Sequence, residues 1–349
     1  MPLGSPRARR LLLGVVLGVG LLALFFRGLD GRAILDAFAQ ADRLCLAGVV
    51  LVTVATYLAR AWRWGYLLRP LARVPLMRLF SITNVGFATG LVIPRAGEVV
   101  RPYLVARHHG LQTSAAFATI ILERLFDLIV VLALFASYLY GATAVDDRLR
   151  TGGALAGAGA LAALAMLCWL TFRREAALAA VDRVFAKLPR RIGDALSRAL
   201  HSFTSGLDVL RASPSHLAAI AGQSVLLWLL IALGLHLNNR AFGIVLPFRS
   251  AFLMLGFLTL GVAVPTPGMV GGFHYAYRVS LTSVFGVDEA TAGAAALASH
   301  ALTNLPVLVL GLVFLGREGL SWGGVARLTE EPDHGHPDPP GTAEERLKP

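Results

Sequence analysis

Six stretches of about twenty apolar residues, parted by arginine-rich segments, limit what this chain can become more than any other feature. They lie near 11–27, 44–66, 115–140, 152–172, 215–237 and 290–315. A run of that length as a helix spans the roughly 30 Å hydrocarbon core of a bilayer. Helices also satisfy every backbone N–H and C=O internally, which lipid demands. Composition agrees: 56% of the 349 residues are hydrophobic, 15% are charged, and the mean hydropathy is +0.66. A soluble domain is about one-quarter charged. The expected fold class is therefore all-α, a polytopic membrane helix bundle with about six full spans.

Two further apolar stretches, 79–110 and 250–285, are broken midway. The first break is Pro94-Arg95-Ala96-Gly97 and the second is Pro265-Thr266-Pro267-Gly268 followed by Gly271-Gly272. Each half of about 14 residues rises only about 21 Å as a helix, too short to cross. Two re-entrant hairpins of half-helices are predicted, turning at Pro94 and Gly97 and at Pro267, Gly268, Gly271 and Gly272.

Charge sets the orientation. The 32 Lys+Arg exceed the 21 Asp+Glu by 11, and the cations sit between apolar runs, as cytoplasmic loops require. A cytoplasmic basic N-terminus (1–10) precedes a membrane domain over 11–320. The first run lacks a small-x-small cleavage site before Arg27, so it reads as an uncleaved span. The segment 173–212 carries Arg173, Arg174, Arg183, Lys187, Arg190, Arg191, Arg198 and Arg211, with Val181, Val184, Phe185 and Leu188 at helical spacing. It reads as an amphipathic inner-surface helix or a solvated connector. The 321–349 tail is polar and expected to be disordered. The resulting topology is a multi-pass protein of the cell inner (cytoplasmic) membrane with both termini cytoplasmic. The two hairpins then enter from opposite faces.

Those hairpins resemble one another. Val85-Gly86-Phe87-Ala88-Thr89 precedes the first break and Leu255-Gly256-Phe257-Leu258-Thr259 the second. Gly110-Leu111 and Gly286-Val287 follow, then Glu123-Arg124 and Ser299-His300 inside Ala-rich runs. Weak internal similarity in opposite orientation is the mark of an inverted repeat.

Charge at membrane depth is the informative chemistry. Arg95, Glu98 and Arg101 sit at the first break, and Glu123, Arg124 and Asp127 lie inside an apolar run. Each costs about 2.5 kcal/mol or more at mid-bilayer. Glu123 and Asp127 share a helix face and repel unless cations stand opposite, a role that falls to Arg95 and Arg101 with Arg124 nearby. Such a cluster either pins the hairpin or binds an anionic head group, since guanidinium forks suit phosphate. His274, Arg278 and His300, with Tyr275, Tyr277 and Asn304, offer a second half of the site. A basic face, an RNA-binding motif, a phosphate-binding loop, a nucleophile elbow and a zinc spacing are all missing. Nucleic acid, cofactor and metal are therefore not expected, and the chain reads as a non-enzyme. Cys45 and Cys168 read as apolar fillers.

With these motifs in view the chain resembles the lysylphosphatidylglycerol synthase transmembrane-region family, flippase-like membrane proteins. The matching residues are Arg60-Ala61-Trp62-Arg63-Trp64, Asn84-x-Gly86, Pro94-Arg95-Ala96-Gly97-Glu98-x-x-Arg101, Glu123-Arg124-Leu125-x-Asp127 and Pro267-Gly268-x-x-Gly271-Gly272-Phe273. The resemblance implies a domain that moves an anionic or modified phospholipid between leaflets. In bifunctional members a soluble aminoacyltransferase follows; this sequence has no room for it, so synthase activity is not carried over. His274 stands where the family usually has an acid. The leading expectation is a translocase for an anionic phospholipid or a polyprenyl-phosphate-linked sugar. The alternatives are a membrane-embedded transferase using Glu123 or Asp127 as base, or a scaffold for a separately encoded lipid-modifying enzyme or glycosyltransferase.

Overall fold

A computed structural model describes residues 6–140, 147–173, 175 and 190–317. These residues form twelve α-helices and no strand. In chain order they are α1 (Pro6–Phe26), α2 (Gly31–Gln40), α3 (Arg43–Leu68), α4 (Leu76–Val92), α5 (Ala96–His109) and α6 (Thr113–Tyr140). Then come α7 (Asp147–Phe172), α8 (Arg190–Gly206), α9 (Pro214–Ala241), α10 (Ser250–Ala263), α11 (Gly272–Val279) and α12 (Glu289–Arg317). Three of them are long and apolar enough to cross a membrane: Arg43–Leu68, Pro214–Ala241 and Glu289–Gly316. Helix α6 has 28 residues and great hydrophobicity, but carries Glu123, Arg124 and Asp127 in its middle.

Local chemistry sets the boundaries. Asp42 caps α3, its carboxylate accepting from the N–H groups of Leu44 (2.8 Å) and Cys45 (3.3 Å). Ser213 caps α9 and Pro214 fills its first turn, where no N–H partner is needed. Helix α4 stops at the residue before Pro94, and α5 begins after Arg95, which is held at φ 64°. The second break is longer, covering 264–271 with a 3₁₀ turn at Pro267–Met269 and positive φ at Gly268 and Gly271. Gly97 and Gly272 lie inside the helices that follow the breaks rather than in them.

In both broken elements the two legs cross backbone to backbone. A Cβ on Gly97 would sit 2.2 Å from the Gly86 carbonyl oxygen, and one on Gly272 would sit 2.2 Å from that of Gly261. Only glycine admits such an approach. This pairing corrects the register read from the sequence, which set Gly86 opposite Gly256. Gly256 instead lies against the Phe135 ring of α6. Gly110 and Gly286, matched in sequence, do share left-handed geometry, with φ 63° and 67°.

Helix α3 packs along α9, α4 along α12, α5 against α6, and α10 against both α11 and α6. One apolar core surrounds Trp64, Leu104, Ile120 and Leu122. The other surrounds Met254, Leu281 and the alanines of α12. Between Gly206 and Ala115, α8 touches α6 directly, and Leu207, Val209 and Leu210 beyond it are buried. The described end of the 173–212 segment is thus packed on the bundle. Its Val181, Val184, Phe185 and Leu188, the N-terminal residues before Pro6 and the tail beyond Arg317 lie outside the described residues.

Candidate functional site

The charged cluster forms where α3, α5, α6 and α9 meet. Arg101 reaches from α5 to Glu123 as a fork, with Nη1 to Oε1 at 2.9 Å and Nη2 to Oε2 at 3.0 Å. Its guanidinium lies 4.4 Å from the centroid of the Trp64 ring, and Trp64 Nε1 donates to Thr119 at 3.0 Å. Gly86 makes room for the Arg101 stem, since a Cβ there would fall 2.3 Å from Arg101 Cγ. The Asn84-x-Gly86 element thus owes its glycine to two contacts, one with α5 backbone and one with this arginine.

Asp127, one turn along α6, is met from α3 and α9. Arg63 Nη1 donates to it at 2.6 Å and Trp228 Nε1 at 3.0 Å, while Arg60 stands at 3.8 Å. Arg63 also bonds Ser224 Oγ at 3.0 Å and lies 3.9 Å from Glu123. Arg124 bridges both acids, at 2.5 Å from Glu123 and 3.7 Å from Asp127.

Sequence reasoning therefore paired the acids with only part of their cations. Arg101, Glu123, Arg124 and Asp127 come together as expected. Arg95 does not: it is exposed and makes no ion pair among the described residues, because its left-handed backbone turns it out at the α4–α5 corner. Glu98 is exposed too, within electrostatic reach of Arg124. The cations opposite Asp127 are Arg60 and Arg63, which the sequence suggested belonged to the end of a span. Their signal was their spacing, since residues i and i+3 share a helix face, as do Glu123 and Asp127.

Charge does not balance here. Arg60, Arg63, Arg101 and Arg124 face Glu123 and Asp127, so cations are in excess even with Glu98 included. Arg63 and Glu123 are wholly buried. Buried guanidinium nitrogens of Arg60 (Nε, Nη1), Arg63 (Nε, Nη2) and Arg101 (Nε) have no hydrogen-bond partner among the described residues. Asp127 Oδ2 is, among the described residues, the one buried carboxylate oxygen of the cluster likewise without a hydrogen bond, so guanidinium donors outnumber the acceptors that face them.

His274, Arg278 and His300 stand apart from that cluster, around the second break. His300 Nε2 meets the Gly268 carbonyl at 2.7 Å, and Gly271 N–H donates to His274 Nδ1 at 3.3 Å. The two rings are 4.4 Å apart between centroids. Arg278 pairs with Glu289 at 2.7 Å and donates to the carbonyl of Phe25 at the end of α1. Beside them Tyr277, named from the sequence, centres a buried neutral network whose asparagines sequence reasoning missed. Tyr277 donates to Asn239 Oδ1 at 2.7 Å, accepts from Asn238 Nδ2 at 2.9 Å, and is hydrogen-bonded to Ser299. Asn239, Tyr277 and Ser299 each stand 176 positions after Arg63, Arg101 and Glu123.

Fold and site together define an all-helical membrane protein with ionised side chains buried among its helices. The profile of the lysylphosphatidylglycerol synthase TM region matches residues 11–311, and the chain belongs to that family. It is similar to a UPF0104 membrane protein of Methanothermobacter thermautotrophicus, 24% identical over 88% of this chain and 95% of that protein. It is also 26% identical to "Glycosyltransferase AglD" of Haloferax volcanii, over 86% of this chain but 53% of the relative. The chain thus spans about half the length of that relative.

Proposed function

We propose that this protein is a flippase-like lipid translocase of the cytoplasmic membrane, with both termini inside. It would bind an anionic phospholipid or a polyprenyl-phosphate-linked head group at the Arg60–Arg63–Arg101–Arg124 cluster. The observation that carries the reading is the buried surplus of guanidinium over carboxylate, with donors unpaired among the described residues. Ionised side chains at membrane depth are expensive and are kept for function. Glu123 and Asp127 orient the arginines, and a phosphate supplies the remaining negative charge.

In this reading the pairs α4–α5 and α10–α11 are re-entrant hairpins of an inverted repeat, and α1, α3, α6, α7, α9 and α12 are the six spans. Each half then holds three full spans, an odd number, so the second half is inverted. Rocking of one half against the other exposes the cluster to each leaflet in turn. The apolar groove between α6 and α7, about 780 Å³ and lined by Leu132, Ala136 and Leu161, gives acyl chains a path along the helix that bears the acids.

The name of the Haloferax volcanii relative favours a second reading, in which the domain serves a glycosyltransferase as its membrane partner or takes part in transfer itself. Liposomes with head-group-labelled phosphatidylglycerol separate the two. A translocase moves label to the inner leaflet, and Arg101→Gln stops it. Movement no faster than in protein-free liposomes, or unaffected by Arg101→Gln, would overturn the translocase reading.

A further inference from the structure

The two histidines at the second break hold their ring nitrogens in fixed roles. A carbonyl only accepts, so His300 Nε2 carries the proton it donates to Gly268, and in the neutral ring its Nδ1 is the bare lone pair. Gly271 N–H only donates, so His274 Nδ1 is the bare atom of that ring. His274 is therefore neutral in this arrangement, while the Gly268 bond is kept by His300 in either charge state. They clasp Gly268 at φ 62° and Gly271 at φ 87°, which with Met269 at φ 58° make the turn with positive φ.

A proton added to His274 must go to Nδ1, the atom that receives the Gly271 N–H. Two donors then face each other and the clasp opens. A proton added to His300 also goes to Nδ1, leaving the Gly268 bond intact but setting an imidazolium 4.4 Å from the neighbouring ring. A second proton would meet the charge of the first, so the pair takes one.

The surroundings offer that proton little counter-charge. From α1 the Phe25 ring faces His274, and α10 contributes no ionisable residue between Ser250 and Ala263. From α12 comes His300 itself, along with Ser299, and on α11 the neighbours are Tyr275, Tyr277 and Arg278. Arg278 is a cation already matched to Glu289. On α4, whose Leu91 carbonyl approaches Gly268, the one ionisable side chain is Arg78 near its other end. An anion must come from outside for an imidazolium to be stable here.

The break is also placed to pass on what happens to it. Gly271 lies against Gly18 and Leu21 of α1, and Gly268 against Leu91 at the tip of the first broken element. The positions 176 residues before His274 and His300 hold Glu98 and Arg124.

We propose that His274 and His300 form a proton site that loads together with the anionic head group, so that lipid movement is coupled to proton movement. The inference rests on the translocase reading above and adds its coupling ion and energy source. The phosphate brings the negative charge the imidazolium lacks when it passes the second break on its way to or from the arginine cluster, and a proton on His274 opens the Gly271 clasp.

Two measurements test it. Binding of short-chain phosphatidylglycerol to the detergent-purified full chain is followed calorimetrically in two buffers of different ionisation enthalpy. Uptake approaching one proton per lipid bound is expected near neutral pH. It should fall to none in the double variant His274→Asn with His300→Gln, since either ring alone still has an Nδ1 to protonate. Those substitutions keep an acceptor for Gly271 and a donor for Gly268, and a melting curve checks that they fold. In proteoliposomes, a pH gradient should change the initial rate of lipid movement by up to about tenfold per unit, the limit for one proton. The double variant should ignore the gradient. Lipid that binds without proton uptake, or moves at a rate blind to the gradient, would overturn the coupling and leave translocation standing. Failure of the parental protein to bind any anionic lipid would overturn the functional reading and the coupling with it.

Discussion

Glu123→Gln and Arg101→Gln remove opposite ends of one bidentate pair, and the surplus of cation around that pair makes their consequences unequal. Without Arg101, Glu123 keeps Arg124 at 2.5 Å and Arg63 at 3.9 Å. Two charge-assisted hydrogen bonds and a stack on Trp64 are lost, but one cation of a repelling surplus goes with them, which leaves a net cost of about 2 kcal/mol. Without Glu123, four guanidinium groups share Asp127 alone, with Arg63 wholly buried. Breaking a buried pair so that charge is left uncompensated costs about 3–5 kcal/mol. The expected order is therefore Glu123→Gln less stable than Arg101→Gln, by about 2 kcal/mol from the same two estimates. Equilibrium unfolding in bicelles of zwitterionic lipid reads it directly. Phosphatidylglycerol added at a hundred times its Kd stabilises a binder by about 2.7 kcal/mol and should restore Glu123→Gln more than the parental protein. If Arg101→Gln proves the less stable, the cluster is not cation-rich in the folded protein and the receptor argument fails.

Four shorter expectations accompany it. Gly86→Ala puts a methyl 2.3 Å from Arg101 Cγ, so it should cost about 1–3 kcal/mol and shrink the melting shift caused by phosphatidylglycerol. Gly272→Val drives side-chain atoms into the Gly261 carbonyl, where even a Cβ would sit at 2.2 Å; it should stop lipid movement, and parental rates would refute the rocking scheme. Cysteines at positions 190 and 245 should label from the cytoplasmic and the outer face respectively, and the reverse at 190 would end the inverted-hairpin argument. Bonds from the N–H groups of Cys45 and Leu44 hold the Asp42 carboxyl below the usual carboxylate range. Its contribution to stability is present at neutral pH and fades as pH falls through the unfolded value near 4 towards the lower folded one; Asp42→Asn should flatten that part of the acid-unfolding curve.

Much of the architecture was legible because lipid simplifies the code. Long apolar runs mark helices, and Pro94 and the Pro267-Gly268 pair mark where helices stop. The charges of α6 stood out for the same reason, since nothing in an apolar run explains Glu123 and Asp127 except a partner. Arg60 and Arg63 were harder to see. An arginine near the end of a span ordinarily extends its head to the interface, and only the fold, by laying α3 along α9, turns these two inward. The matched strings around the two breaks agree in geometry at Gly110 and Gly286 and differ at Gly86 and Gly256. A shared Gly-Phe-x-Thr string carries no information about which glycine meets another backbone, and that contact involves residues eleven apart in both halves. Of the network around Tyr277 the sequence showed the tyrosine and Ser299 but not their partners, because Asn238 and Asn239 close a helix where asparagine is common enough to pass unnoticed.

That network works as a control the protein has built into itself. Asn239, Tyr277 and Ser299 join three helices, each 176 positions after Arg63, Arg101 and Glu123, and they do so with uncharged groups. A neutral joint of this kind is evidently sufficient to fasten such a junction. Ionised residues there are harder to bring out of water and return no better fastening. If the halves descend from one duplicated unit, they have divided its labour: one copy kept the joint, and the other was released to carry charge. The arginines would then persist for what they grip rather than for what they hold together.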